Sequence, residues 1–279
     1  MGTFGWICQP LNPVPSYARV SLRFRIGFGY SIPVNTARLI TATIITRNEE
    51  RRIAEAIASL SCCDEVLVVD SGSSDRTSEI AQRCGARVIV RDWDGYSSQK
   101  NFAASQAKHD WILSLDADER ISVELGSEIF RWKQSGSGAA GSMPRRAFYF
   151  GAWIRHSGWY PDRKIRLYDR RSARWTGDFV HEALEVDGTI VDFSGDLLHF
   201  PYEDWPDHVS RIDRYTRLAA QAARKSGKHG NILRLLFGPP LSFIKTFVVR
   251  AGFLDGWRGA LIAAAGARYV FLREFRILR

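Results

Sequence analysis

Two carboxylates one residue apart, Asp116 and Asp118, follow the apolar run Trp111-Ile-Leu-Ser-Leu115. The run is short and bounded, so it reads as a buried strand. If the extended conformation carries on past Leu115, both carboxylates point to the same side. Held together at the C-terminal end of a parallel strand, they suit a hard divalent cation that also binds phosphate oxygens. Taken alone, Asp-Ala-Asp-Glu also describes a solvated strand-to-helix turn with Asp118 as a cap. The rest of the chain argues against that reading. Polar clusters follow two other strand-like runs: Thr46-Arg47-Asn48-Glu49-Glu50 and Asp70-Ser71-Gly72-Ser73-Ser74-Asp75-Arg76-Thr77. Each alone could be a cap, with Asn48 and Asp75 as N-cap candidates.

The elements that must position these clusters alternate regularly. Strands are predicted at 39–46, 65–70, 87–90 and 111–116, and helices at 49–60, 75–84, 97–107 and 122–134. Four strand–helix units in succession predict an α/β fold with a doubly wound parallel sheet. Ligands then bind beyond the carboxyl ends of the strands, where the three clusters converge. The pattern breaks at the Gly/Ser-rich stretch 135–142. Short aromatic strand-like pieces follow, with a hairpin turn expected at Asp187-Gly188. From Glu203 the pattern is helical, first with Ile212, Tyr215, Leu218, Ala219 and Ala222 on one face and then in two segments near 232–250 and 257–278. This divides the chain into an irregular extension (1–38), an α/β half (39–134), a mixed half (135–202) and a basic helical region (203–279).

Composition sets limits on function. The chain has 279 residues, 45% of them hydrophobic and 25% charged, which suits a globular fold. Its four cysteines have no zinc-like spacing and do not suggest a disulfide framework, which fits a reducing cytoplasm. No apolar run reads as long enough to span a bilayer, and no signal peptide is evident. The net charge of +9 is uneven: residues 205–279 hold fourteen basic and four acidic groups, and the body is mildly acidic. A basic tail rich in Phe, Leu and Trp points to an anionic membrane surface. No nucleic-acid recognition motif accompanies it.

The order Thr-Arg-Asn-Glu, Val-Val-Asp-Ser-Gly-Ser-Ser-Asp-Arg-Thr and Leu-Asp-Ala-Asp-Glu resembles the family 2 glycosyltransferases of GT-A fold. Gln99-Lys100-Asn101, Gly158 to Tyr168, Val180-His181-Glu182, Leu197-Leu198-His199-Phe200 and Gly252 to Gly259 are similar to a narrower branch, the bacterial lipopolysaccharide inner-core glucosyltransferases. The resemblance covers about residues 39–279 and implies a GT-A Rossmann-like, mostly parallel sheet with C-terminal amphipathic helices. It implies that Asp70, with Ser71, and the turn of Thr46, Arg47, Asn48 and Glu50 hold the base and ribose of a UDP-sugar. Asp118 would bind Mg2+ or Mn2+, Asp116 the ribose or the metal's water shell, and Lys100 a phosphate or the ribose. His199 would complete the metal site, as a histidine does in some relatives.

Inverting transfer also needs a base. The resemblance places it after the Gly/Ser break, at Glu182 or Asp178. Arg163, Lys164 and Arg166 form a cationic segment able to clamp a diphosphate or meet a phosphorylated acceptor. The implied reaction moves a sugar, glucose from UDP-glucose, to a lipid-linked saccharide such as the lipopolysaccharide inner core. The enzyme would work in the cytoplasm, peripherally on the inner face of the membrane. Two other readings stay open: a metal-dependent nucleotidyltransferase acting on a sugar phosphate, and a non-enzymatic membrane-surface protein. The sequence leaves the oligomeric state open.

Overall fold

The computed structural model describes residues 37–177 and 182–279. The expected N-terminal extension, apart from its last two residues, lies outside them, as does Asp178. The chain forms two compact units, one of residues up to Met143 together with Ile165–Gly195, the other of Pro144–Lys164 and Asp196–Arg279.

The first unit is built on β1 (Ile40–Thr46), β2 (Glu65–Asp70), β3 (Arg87–Val90) and β4 (Trp111–Asp116), with α1 (Ile53–Ala58), α2 (Thr77–Arg83) and α3 (Tyr96–Gln106) between them. The four strands lie parallel in the order β3-β2-β1-β4. Every residue of β1 is buried. A run of Ile and Thr suits a central strand covered on both faces, because β-branched side chains pack well on the pleated surface. Register then does the positioning: Thr46 pairs with Asp70, and Ile45 pairs with Asp116. All three polar strand ends therefore meet at one carboxyl edge, as the alternating pattern required.

Beyond β4 come β5 (Glu119–Ile121), α4 (Val123–Ser135) and β6 (Ala140–Tyr149), then β7 (Ala152–Trp153) and β8 (Asp162–Asp169). Ser122 caps α4, its Oγ accepting from the Leu125 N–H at 3.1 Å. β8 runs antiparallel to β4, and β6 lies beside β8, so the sheet is mixed. β9 (Ala173–Thr176) and β10 (Ala183–Val186) form a separate antiparallel pair, while β11 (Ile190–Asp192) joins β6. Asp187-Gly188 is therefore no hairpin: it turns the chain from one sheet to the other.

Two other local expectations change. The extended run stops at Asp116, and Ala117-Asp118 form a turn, so strand alternation does not set the relative direction of the two carboxylates. Asn48 is not an N-cap: its φ is +56°, α1 begins only at Ile53, and its side-chain oxygen accepts from the Ser74 N–H.

The second unit holds the C-terminal part of β6 with β7 and β12 (Leu197–His199), then α5 (Trp205–Lys225), α6 (Ile232–Ile244) and α7 (Trp257–Leu278). Its core gathers Tyr149, Ile154 and Ile262. α5 buries His208, Ile212, Thr216 and Ala220, a face rotated from the expected one, and leaves Tyr215 and Leu218 exposed. His208 replaces an aliphatic side chain there because the Tyr149 hydroxyl meets its Nδ1 at 2.8 Å. The expectation that no segment could span a bilayer also fails. Ile232–Val249, 18 residues of mean hydropathy 1.5, is long and apolar enough, and none of it is buried. Arg234, Lys245 and the pair Pro239-Pro240 break up its apolar appearance in sequence, yet the helix runs through both prolines and continues as a π-helical turn from Lys245 to Val249.

Candidate active site

At the carboxyl edge of the first unit the loops after β1 and β2 are bound to each other. Asn48 N–H donates to Ser73 Oγ (2.8 Å), Glu49 N–H to Thr77 Oγ1 (2.8 Å) and Glu50 N–H to Asp75 Oδ2 (3.2 Å). Asp70 is buried and accepts from Ser73 N–H (3.1 Å), Ser73 Oγ (2.6 Å) and the Ser78 hydroxyl. Its carboxylate thus shapes the Ser71–Ser73 turn, in which Gly72 has φ +75°. The Thr46 hydroxyl is buried with no hydrogen-bond partner among the described residues, while Arg47 is exposed.

α3 ties this edge to the acids. Gln99 donates to Ser71 Oγ at 3.0 Å. Asn101 bridges the backbone of Trp175 in β9, donating to its carbonyl (2.8 Å) and accepting from its N–H (3.0 Å). Between them Lys100, fully buried, points its ammonium at two carboxylates: Glu182 Oε1 at 2.8 Å and Asp116 Oδ1 at 3.1 Å. The ammonium also lies 4.5 Å from the Trp175 ring centre. Sequence reading offered Lys100 as a phosphate or ribose contact, but the structure shows it between two acids.

Arg166 completes the cluster from β8. Its guanidinium donates to Asp116 Oδ2 (2.7 Å) and Glu119 Oε1 (2.6 Å), and Glu119 Oε2 accepts from the Asp116 N–H (3.1 Å). Both oxygens of Asp116 are thus held by cations. Burial would raise the Asp116 carboxyl, but the charges of Arg166 and Lys100 outweigh it and hold it far below the ordinary range. Burial would likewise lower Arg166, and Asp116 and Glu119 reverse this and raise it. Two polar atoms of the cluster remain buried without a hydrogen-bond partner among the described residues, Glu182 Oε2 and Arg166 Nε.

Sequence reasoning did not select Glu119, although it is fully buried and is the acid that fixes Arg166. Its only sequence signal was its place directly after Asp118. Asp118 lies in the turn after β4 in the first unit, and Arg163, Lys164 and His199 lie in the second. Lys164 pairs with Asp162 (3.0 Å), Arg163 is exposed, and His199 lines a cavity with Arg145, Trp159, Asp162 and Tyr202.

This arrangement holds the Asp116 carboxylate ionised, beside a strand end whose Thr46 hydroxyl has no hydrogen-bond partner among the described residues. Among the described residues no three of His, Cys, Asp and Glu come together as a ready cation cage. Such a donor set suits a cation that arrives with a diphosphate, taking most of its oxygens from phosphate and water, as Mg2+ usually does.

The sequence pattern of glycosyl transferase family 2 matches residues 41–184. The chain is 30% identical over 255 residues to the lipopolysaccharide core biosynthesis glycosyltransferase LpsC of Rhizobium meliloti, covering 85% of this chain and 91% of that protein. It is 35% identical over 254 residues to a glycosyltransferase of Rickettsia typhi, covering 86% and 87%. Staphylococcus aureus TarS 1–349, solved in complex with UDP-GlcNAc, aligns at 15% identity and a TM-score of 0.44 over 85% of this chain and 89% of that one. The matched pattern runs from the start of β1 into β10 and so takes in Asp70, Lys100, Asp116, Arg166 and Glu182. The chain belongs to glycosyl transferase family 2 and shares that family's transfer of a sugar from a nucleotide-sugar donor.

Proposed function

We propose that the protein is an inverting transferase that moves glucose from UDP-glucose to a lipid-linked saccharide, such as a lipopolysaccharide inner core, at a membrane surface. One observation carries the catalytic part: Glu182 has one oxygen fixed by Lys100 at 2.8 Å and the other buried without a hydrogen-bond partner among the described residues. That is a carboxylate anchored at one oxygen with an acceptor position left at the other, which a general base needs. The acceptor hydroxyl oxygen attacks the anomeric carbon from the face opposite the diphosphate. The bond from that carbon to the phosphate oxygen breaks, and its electron pair leaves with UDP. The hydroxyl proton passes to Glu182 Oε2. Asp178, the other candidate base, lies outside the described residues.

The Asp70 turn and the Thr46–Glu50 loop receive the base and ribose in this reading. Asp118 would hold Mg2+ or Mn2+; when bound, the cation neutralises charge on the leaving diphosphate. Asp116, occupied by Lys100 and Arg166, keeps those two cations in place rather than serving as a metal ligand.

The membrane part of the reading rests on α6. Leu233, Leu236, Phe237, Leu241, Ile244 and Val248 are each 50–62% exposed along one side. Arg234 and Lys245 lie eleven residues apart, about three turns, and so border the same side of that stripe. Apolar residues with flanking cations suit insertion into an anionic leaflet, the cations remaining at headgroup level. Calorimetry of UDP and UDP-sugars, with and without Mn2+, tests the donor assignment. Metal-dependent binding of UDP-glucose above other UDP-sugars is expected; no binding of any UDP compound to folded protein overturns it.

A further inference from the structure

We propose that the cavity of the second unit is a binding site for a pyranose ring of the acceptor. The inference rests on the sugar-transfer reading and gives that reading's second substrate a place.

The cavity has a volume of about 360 Å³, within the usual range for small-molecule sites. Trp159 and Tyr202 supply flat, half-buried aromatic surfaces, with ring centres 6.3 Å apart. Tyr149 and His208 pack against these rings from within, at 5.2 Å and 4.0 Å. An aromatic face supported in this way suits the C–H face of a sugar ring. On the polar side, Arg145 donates to Asp162 through Nε (3.0 Å) and Nη2 (2.6 Å), and His199 also lines the cavity. Hydroxyl groups both donate and accept, so they need donors and acceptors together. An arginine–carboxylate pair with an imidazole provides both in one place. Such a lining, with donors and acceptors side by side, suits a ring of hydroxyls better than a purely apolar ligand.

The backbone beside the cavity supports the same conclusion. Four non-glycine residues of the described chain have positive φ, and three belong to this unit: Phe150 (+43°), Ser157 (+61°) and Ala251 (+51°). Strain of this kind persists only where the surroundings enforce it, and it concentrates at functional sites. Here the segment Gly252–Gly259 does the enforcing. Asp255 accepts from the N–H groups of Arg155 and His156 (both 3.1 Å) and from Ser157 Oγ (2.7 Å). Arg258 Nε donates to the Phe150 carbonyl at 2.8 Å. The residues held in this way lead directly into Gly158 and Trp159, which form one wall of the cavity. Asp255 and Arg258 thus act as positioning residues for that wall.

The test uses the full chain labelled with 15N at its tryptophan indoles, with the Trp159 signal assigned from a Trp159→Phe variant. Methyl glycosides of glucose, galactose, mannose, N-acetylglucosamine and glucuronic acid are titrated separately, and UDP is titrated as a control for the first unit. A saturable shift of the Trp159 signal with at least one glycoside is expected, weakened about tenfold in Asp162→Asn and in His199→Ala, the loss of one hydrogen bond to a polar or charged group. No Trp159 shift with any glycoside to tens of millimolar, while UDP still binds, overturns the site and leaves the donor assignment intact. Glycoside binding without UDP binding instead supports the site and counts against the donor assignment. If Trp159→Phe does not fold, an Asp162→Asn protein that keeps the parent's signal pattern but loses the glycoside shifts supports the site equally well; undiminished shifts in both Asp162→Asn and His199→Ala reject it.

Discussion

Lys100 is the residue on which the acid cluster turns. It is the only cation in the described structure that touches both Asp116 and Glu182, so removing it leaves Glu182 without this ion-pair partner and Asp116 with Arg166 alone. Breaking a buried pair by deleting one partner costs about 3–5 kcal/mol. Asp116 and Glu182 are partly exposed and Asp116 keeps Arg166, so Lys100→Met should lower the free energy of unfolding, read by chemical denaturation, by less than this, and should abolish transfer. Glu182→Gln is milder, because the amide keeps the side chain's shape and its oxygen can still accept from Lys100. Glu182→Gln should keep UDP binding and lose at least about a hundredfold in turnover, the usual contribution of a positioned base; normal turnover by the purified variant would remove Glu182 from that role. Asp118→Asn should lose transfer and metal-dependent nucleotide binding together, measured by calorimetry with and without Mn2+. Asp70 and Asp116 were legible in the sequence because each ends an apolar run, Glu182 only through the family resemblance, and Glu119 not at all. Their partners were not: Lys100 arrives from α3 and Arg166 from a strand 50 residues beyond Asp116, and pairing at that distance is fixed only by the folded sheet.

The elements show where periodic patterns suffice and where packing overrides them. The four parallel strands were legible because β-branched runs bounded by turn residues leave little choice of register. α5 was misjudged because its buried stripe includes the polar residues His208 and Thr216, which periodicity alone assigns to solvent. Burial holds the His208 imidazole down at about 4. The unfolded chain, with an ordinary pKa of about 6.5, takes up the proton first as pH falls, so the folded state loses stability between about pH 6.5 and about pH 4 and keeps it above that window. The full effect is about 3 kcal/mol. Denaturant midpoints measured near pH 7 and near pH 5 should diverge in the parent and converge in His208→Gln; an unchanged slope in the variant would place the pH dependence elsewhere. Packing is equally strict where the ends of the Gly252–Gly259 segment meet. A Cβ at Gly259 would lie 1.7 Å from the Gly252 carbonyl oxygen. Gly259→Ala should therefore destabilise by about 1–3 kcal/mol, the usual cost of overpacking, read as a lower unfolding midpoint.

At the scale of the whole molecule the chain divides its chemistry, with the acid cluster in the first unit and the aromatic cavity and apolar helix in the second. The basic, aromatic character of the C-terminal region was legible from composition. The continuity of its apolar stripe was not, because two prolines and two cations interrupt it along the chain and not in space. α7, packed along α6, carries Arg258, Arg268, Arg273, Glu274 and Arg276, which suits a helix pair lying at the surface of a leaflet better than one crossing it. Each large apolar side chain moved from water into lipid contributes about 1.5–3 kcal/mol. Replacing Leu236, Phe237 and Leu241 together by glutamate should then cut co-sedimentation with phosphatidylglycerol vesicles at least tenfold. Arg234→Gln with Lys245→Gln should instead weaken binding to those vesicles while leaving the weaker binding to phosphatidylcholine vesicles unchanged, since these two cations act through the charge of the headgroups. With the donor placed in the first unit as proposed, UDP binding should be unaffected in all these variants. Vesicle binding undiminished in the triple glutamate variant would show that α6 does not dock on lipid. A dimer in the parent that the same variant dissociates would identify a second copy of the chain, rather than a membrane, as what covers this face.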